Sequence, residues 1–330
     1  MAKSKTTKLP KLIESKIYKT GQTRGADDDV IYQNRVNRNS TVLIPYPVYD
    51  ICSQAPDNEG IFENGFIVLI RPDIYFMNDV LKKEMELKGL HLGKNALLFY
   101  ETREQWNQYN PESLGLNAAI SRKEPLSGDF VARVPSTTSK NDEKINLGFN
   151  TSGSKGAGIR VYEYASSEIF KRCRVQLEFL YWQCFDSKEI SLAAGMSIEN
   201  IELRIQENLH VAETLGLNHA KRLFEQRIID KDNNTICPLC LEKLSAIGFF
   251  NKLEQAEGRD VPDLTVTQLN LFHINELKYG EFNHKPYNLG WGHHHCNVVT
   301  KDSGIFGTLK WMAEVIDRNE VNGFQIRQIN

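Results

Sequence analysis

The chain has 330 residues, enough for two or three domains with sizeable cores. Hydrophobic residues make up 41% and charged residues 25%, which fits a globular protein and excludes a disordered or fibrous one. A formal net charge of −2 excludes a polycation, so any nucleic-acid contact must come from a local basic face.

Such a bias stands at the start. Residues 1–25 hold Lys3, Lys5, Lys8, Lys11, Lys16, Lys19 and Arg24 against the single acid Glu14, which suits either a solvated terminus or a phosphate-contacting arm. No apolar core follows these lysines, as a secretory signal would require. No apolar run approaches the ~18 residues of a membrane-spanning helix. The segment from Tyr18 to Tyr46 is dense in Arg, Asn and Gln, the side chains that make paired hydrogen bonds to base edges. Arg24, Arg35, Asn37 and Arg38 are therefore candidate nucleic-acid contacts, with an ordinary polar loop as the plainer reading.

Phe66–Ile70, Ala96–Tyr100, Phe130–Val134 and residues 158–164 read as strands bounded by Gly, Pro, Asn and Asp, with helical spacing over residues 79–90. Pro72-Asp73 followed by Glu101-Thr102-Arg103 faintly echoes a PD…E-x-K nuclease site, with Arg in place of Lys. Residues 136–144 read as a loop. Residues 150–158 are glycine-rich but lack the Gly-Lys-Ser/Thr ending of a phosphate-binding loop. Apolar residues then recur at helical intervals over 167–184 and 198–229, a polar turn covers 230–235, and Ser303-Gly304 precedes a final amphipathic helix over 305–316. The expected architecture is α+β: a mixed α/β domain over 1–165, a helical connector over 166–232, and a C-terminal module over 233–330.

Five of the eight histidines lie between His273 and His295, beside three of the six cysteines. Cys237-Pro-Leu-Cys240 alone would suit a redox motif or two core cysteines. With His293-His-His-Cys296 downstream, the two pairs supply the four borderline-soft ligands that tetrahedral Zn²⁺ takes. A metal there would staple the intervening hairpin. So few cysteines make no disulfide framework and point to a reducing compartment. Between the pairs, the apolar strand Leu269-Asn-Leu-Phe-His273 delivers a histidine, Asn288 follows 15 residues later, and Asn297 comes directly after Cys296. Phosphodiester hydrolysis needs a base to activate water and a divalent metal to stabilise developing charge, and a strand-borne His with a helix-borne Asn are suited to those tasks. The plainer alternatives are a core histidine at 273, a turn-capping Asn288, and a surface metal scavenger in His293–His295. His284 fits several roles.

In order and spacing these motifs resemble the HNH (ββα-metal) nuclease family over roughly residues 236–302. The resemblance implies His273 as general base, Asn288 as the middle Asn, Asn297 as a ligand of catalytic Mg²⁺, and a structural Zn²⁺ on Cys237, Cys240, His293 and Cys296. The family's metal-binding residue just before the base is replaced by Phe272, which leaves Glu276, His284, His294 or His295 as substitutes. The whole chain is similar to type II restriction endonucleases of the HNH class, most closely the BstXI type. That implies a homodimer in the bacterial cytoplasm and Mg²⁺-dependent cleavage of both strands of double-stranded DNA at an interrupted palindromic site. The rival readings are a non-catalytic zinc-hairpin DNA-binding protein and a non-specific HNH nuclease.

Overall fold

A computed structural model of the chain describes residues 7–24, 35–56, 60–77, 79–118, 124–134, 145–147, 158–251, 267–301 and 303–324. They divide into two units, one formed by residues 21–166 and 278–282, the other by residues 1–20, 167–277 and 283–330. The glycine-rich segment falls largely outside the described residues, as do residues 136–144.

In the first unit, β1 (Gln22–Arg24) and β2 (Arg35–Asn37) form a small antiparallel pair. The main sheet is built from β3 (Val42–Pro45), β4 (Phe66–Ile70), β5 (Ala96–Tyr100) and β6 (Phe130–Val134), parallel and side by side in sequence order. The antiparallel β7 (Ile145–Leu147) extends it beyond β6, and the parallel β8 (Ile159–Arg160) extends it beyond β3. Strands that always step the same way, joined by right-handed crossovers, send their helices to one face, as in half of a β/α barrel. On that face Val68, Ile70, Leu98, Tyr100 and Phe130 pack with Ile74, Met85 and Trp106. The inner face carries Leu43, Ile67, Leu97 and Val131, extended by Leu69 and Phe99. With both faces covered, the strands are continuous apolar runs, which made them readable in the sequence. The expected strand over 158–164 is shorter than its apolar pattern suggested. Val161–Glu163 tighten into a 3₁₀ turn, with Arg160 Nε 3.1 Å from Glu163 Oε2 across it.

In the second unit the helices Lys11–Tyr18, Ser167–Trp182 and Ile198–Thr214 share a core with the antiparallel hairpin of β9 (Leu269–His273) and β10 (Leu289–His293). Cys173, Leu177, Leu180 and Tyr181 recur on one face of the long helix and are buried. Trp291 of β10 packs edge-on against Phe249, centroids 4.8 Å apart, and its indole N–H donates to the Leu177 carbonyl at 2.8 Å. The expected helix over 198–229 breaks at Gly216 (φ +63°), where the Leu217 N–H closes onto the Ala212 carbonyl at 2.7 Å. A shorter helix, Ala220–Glu225, follows, with His219 Nδ1 accepting from the Arg222 N–H. His294–Thr300 and Gly304–Val321 complete the unit, Gly304 taking φ +67° as the entry turn. Among the described residues no helix is long and apolar enough to cross a membrane.

The Glu178 carboxylate takes both Arg204 Nε and Nη2 at 2.6 Å, joining two of these helices. Glu178 is buried and Arg204 mostly so. Removing one member strands the other charge, so Glu178→Ala is expected to cost about 3 kcal/mol. Urea unfolding checks this. An unchanged midpoint would place the pair among surface contacts of no consequence.

Candidate metal and nuclease site

Cys237 and Cys240 lie on a tight turn in which the Leu241 N–H returns to the Cys237 carbonyl at 2.8 Å, with Leu241 at φ +65°. His293 ends β10, and Cys296 sits in the first turn of the helix His294–Thr300. The ligand atoms of Cys237, Cys240, His293 and Cys296 all lie within 4.8 Å of one another, and Cys240 Sγ is 3.3 Å from His293 Nδ1. Zinc bonds of about 2.3 Å to sulfur and about 2.0 Å to nitrogen give tetrahedral edges of that size. The donor set and its spacing therefore fit a structural Zn²⁺. Burial and the neighbouring thiols of Cys237 and Cys240 push the Cys296 thiol far above its ordinary pKa. A divalent cation reverses such crowding by binding the sulfurs as thiolates.

The hairpin beneath is closely fitted. A Cβ at Gly292 would come within 2.5 Å of the fully buried Phe272 ring, so the strand opposite Phe272 has room only for glycine there. The zinc end pairs His293 with Leu269, and the other end pairs Leu289 with His273. Four register steps separate them, about 13 Å along the strand.

At that far end His273 Nε2 lies 3.1 Å from Nδ1 of His284, which is 1% exposed. One ring must donate and the other accept, so each fixes the other's tautomer. Asn288 is buried and fully engaged. Its Oδ1 accepts from the Asn275 N–H at 2.8 Å and from Asn275 Nδ2 at 3.0 Å. Its Nδ2 donates to the carbonyls of Asn275 at 3.1 Å and Asn283 at 2.7 Å. The side chain thus ties both ends of the loop joining the strands. Asn297 stands one turn into the helix His294–Thr300, which packs on both strands. His294 is outside the cysteine cluster, its Nδ1 3.1 Å from Asn270 Nδ2, and His295 is exposed. Among the described residues no second group of three His, Cys, Asp or Glu side chains converges like the zinc cluster.

The structure thus brings the four soft ligands together at one end of the hairpin and His273 with Asn288 at the other. The His273–His284 pairing escaped sequence reasoning, because no short spacing marks two histidines meeting across a loop. Of the candidate nucleic-acid contacts, Asn37 is exposed, whereas Arg38 is 5% exposed and donates from Nη1 to the Glu163 carbonyl at 3.0 Å. Arg38 is thereby drawn into the core of its unit and away from a base-reading surface. The side chains of Arg24 and Arg35 lie outside the described residues. In the PD…E-x-K echo the two carboxylates come near one another: burial raises the Glu101 pKa, and the charges of Arg71, which lowers it, and of Asp73, which raises it, act on the same group. Asp73 is held by Arg71 and by Gln105 Nε2 at 2.9 Å. Arg103 opens a helix capped by Thr102, and so does not share a strand face with Glu101.

Residues 15–294 match the model of the family described as BstXI restriction endonuclease. The match takes in the hairpin, Cys237, Cys240 and His293 and stops just before Cys296. No curated protein matches the chain. A solved structure described as a type II restriction endonuclease aligns with a TM-score of 0.29 at 16% identity, covering 49% of this chain and 56% of that one. The chain thus spans a little over half the length of that structure.

Proposed function

The chain belongs to the BstXI restriction endonuclease family, and from that premise we propose that it is a site-specific type II endonuclease of double-stranded DNA whose chemistry is carried by the β9–β10 hairpin and the helix after it. The observation that carries this reading is the pairing of His273 with His284 at 3.1 Å, on a loop that the Asn288 side chain holds closed. Donation from His273 Nε2 to His284 leaves the lone pair of a neutral His273 on Nδ1, to take a proton from the attacking water. Asn288 acts as a positioning residue. Cys237, Cys240, His293 and Cys296 would hold Zn²⁺ as a staple away from the chemistry.

Bound Mg²⁺ would stabilise the charge developing on the phosphate and leaving oxygen. Asn297 is the protein ligand expected for it, and Phe272 can supply none. That is a sparse shell, consistent with an ion that keeps its waters and takes oxygens from the substrate phosphate. Incubating the protein with phage DNA, with and without Mg²⁺, tests the whole reading. Discrete fragments only with Mg²⁺ are expected, and binding without cutting would favour the non-catalytic zinc hairpin.

A palindromic site read by a symmetric protein implies a two-fold dimer in a bacterial cytoplasm. The ββα modules of such enzymes approach the scissile phosphates from the minor groove. The phosphates nearest across that groove are offset towards the 3′ side, so paired cuts are expected to leave 3′ single-stranded ends. Sequencing the fragment ends checks this. Uniform 5′ overhangs would contradict the minor-groove dimer, and random ends would make the enzyme non-specific.

A further inference from the structure

The inner face of the half-barrel carries a pocket that the hairpin chemistry does not use. Its volume is about 230 Å³, its floor is Leu43, Leu69 and Phe99, and its rim includes Arg71, Glu101, Arg160 and Tyr279. The strand period explains the arrangement. Arg71 lies two residues after Leu69 and Glu101 two after Phe99, so each polar side chain continues the inner face just past the carboxyl end of its strand. Parallel α/β sheets and barrels place their ligands at that edge.

Charge and size narrow the ligand. Each guanidinium already has a carboxylate partner: Arg71 Nε is 3.1 Å from Asp73 Oδ1, and Arg160 Nε is 3.1 Å from Glu163 Oε2. Glu101 is thus left to set the local charge, which disfavours a phosphate inside the pocket and favours a neutral group with N–H donors. The volume is below the ~300–1,000 Å³ typical of drug-sized ligands and suits one flat ring system against Phe99. Among the bases, guanine offers adjacent N1–H and N2–H donors that a carboxylate can accept together.

We propose that this pocket takes a single guanine base, turned out of the DNA duplex, with Glu101 on its donor edge and Phe99 against its ring. This rests on the reading that the chain acts on DNA. Extruding a base costs a few kcal/mol, and stacking on an aromatic ring with paired hydrogen bonds offsets it. A free guanine nucleotide has the same recognition chemistry, so the test has two arms.

In the first arm, full-length protein is titrated calorimetrically with each of the four deoxynucleoside 5′-monophosphates. dGMP is expected to bind about tenfold tighter than the others, with the preference lost in Glu101→Gln, since the amide offers one acceptor where the carboxylate offers two. Leu69→Phe, which fills the floor, should weaken all binding and covers the case in which the Glu101 variant fails to fold. In the second arm, duplexes containing the mapped cleavage site carry the fluorescent guanine analogue 6-methylisoxanthopterin at each guanine in turn, in Ca²⁺. One position is expected to brighten several-fold on binding as the base unstacks, and to stay dark with Glu101→Gln. No dGMP preference, or one indifferent to Glu101, overturns the pocket assignment. A Glu101-dependent preference with every duplex position dark overturns extrusion and assigns the pocket to the free nucleotide. A dGMP preference in a protein that cuts no DNA supports the pocket and sinks the nuclease reading instead.

Discussion

His273→Ala is expected to lower DNA cleavage by about 10²–10⁴-fold, the usual worth of a positioned general base, while leaving specific DNA affinity nearly unchanged. The imidazole would act on water, so its removal should take away transition-state stabilisation and little ground-state binding. The pairing with His284 adds a discriminating readout. His284 lies deep beside His273 Nε2 and is placed to set which nitrogen of the base holds the proton. His284→Asn should therefore cut less slowly than His273→Ala and with a displaced pH profile. A purely packing role for His284 would instead lower thermal stability and leave the profile in place. Single-turnover cleavage of a mapped site, with binding measured separately in Ca²⁺, checks both variants. Near-normal cleavage by His273→Ala would remove the proposed mechanism, whatever the family of the chain.

Much of the molecule was legible because the informative signals were short-range. Zinc ligands three positions apart within each pair can be read directly, and the four atoms do converge. The central strands of a sheet covered on both faces appear as uninterrupted apolar runs, and β4, β5 and β6 sit where those runs are. What stayed hidden depends on backbone conformations that the residue types do not advertise. Tyr287 takes φ +65° without being Gly or Asn, and is held there by its N–H on Gln176 Oε1 at 2.7 Å and its hydroxyl on the Gly216 carbonyl at 2.6 Å. These partners are 111 and 71 positions away in the chain, beyond the reach of any local pattern. The same holds for His284 meeting His273, and for Arg38, which reads as a surface base-contacting side chain but serves the core through Glu163. The sequence offered only a metal staple for the hairpin, yet Phe272, Leu289 and Trp291 are buried among residues that include Leu177 and Tyr181 of the helix Ser167–Trp182.

That shared core sets the size of the zinc effect. Cys237→Ser combined with Cys240→Ser is expected to reduce bound zinc from about one per chain to near zero, and to lower the melting temperature of this unit substantially. Structural zinc in small fingers contributes about 10–16 kcal/mol of binding free energy, which there is the whole of the folding free energy. Here the hairpin also has Trp291 and Leu289 packed in the core, so only part of that should appear as lost stability. Even a third of it, about 3–5 kcal/mol, corresponds to about 6–20 °C for a unit of this size. The loss should be greatest at the His293 end of the hairpin, where Cys237 and Cys240 face His293 and Cys296. Cleavage should fall too, because the helix carrying Asn297 starts directly after His293. His294→Ala serves as the control, since its Nδ1 contacts Asn270 and it lies outside the cysteine cluster; that variant should retain its zinc. Metal analysis by mass spectrometry and thermal denaturation read these outcomes together. A double serine variant that keeps its zinc and its melting temperature would show that the four side chains meet for some reason other than a metal.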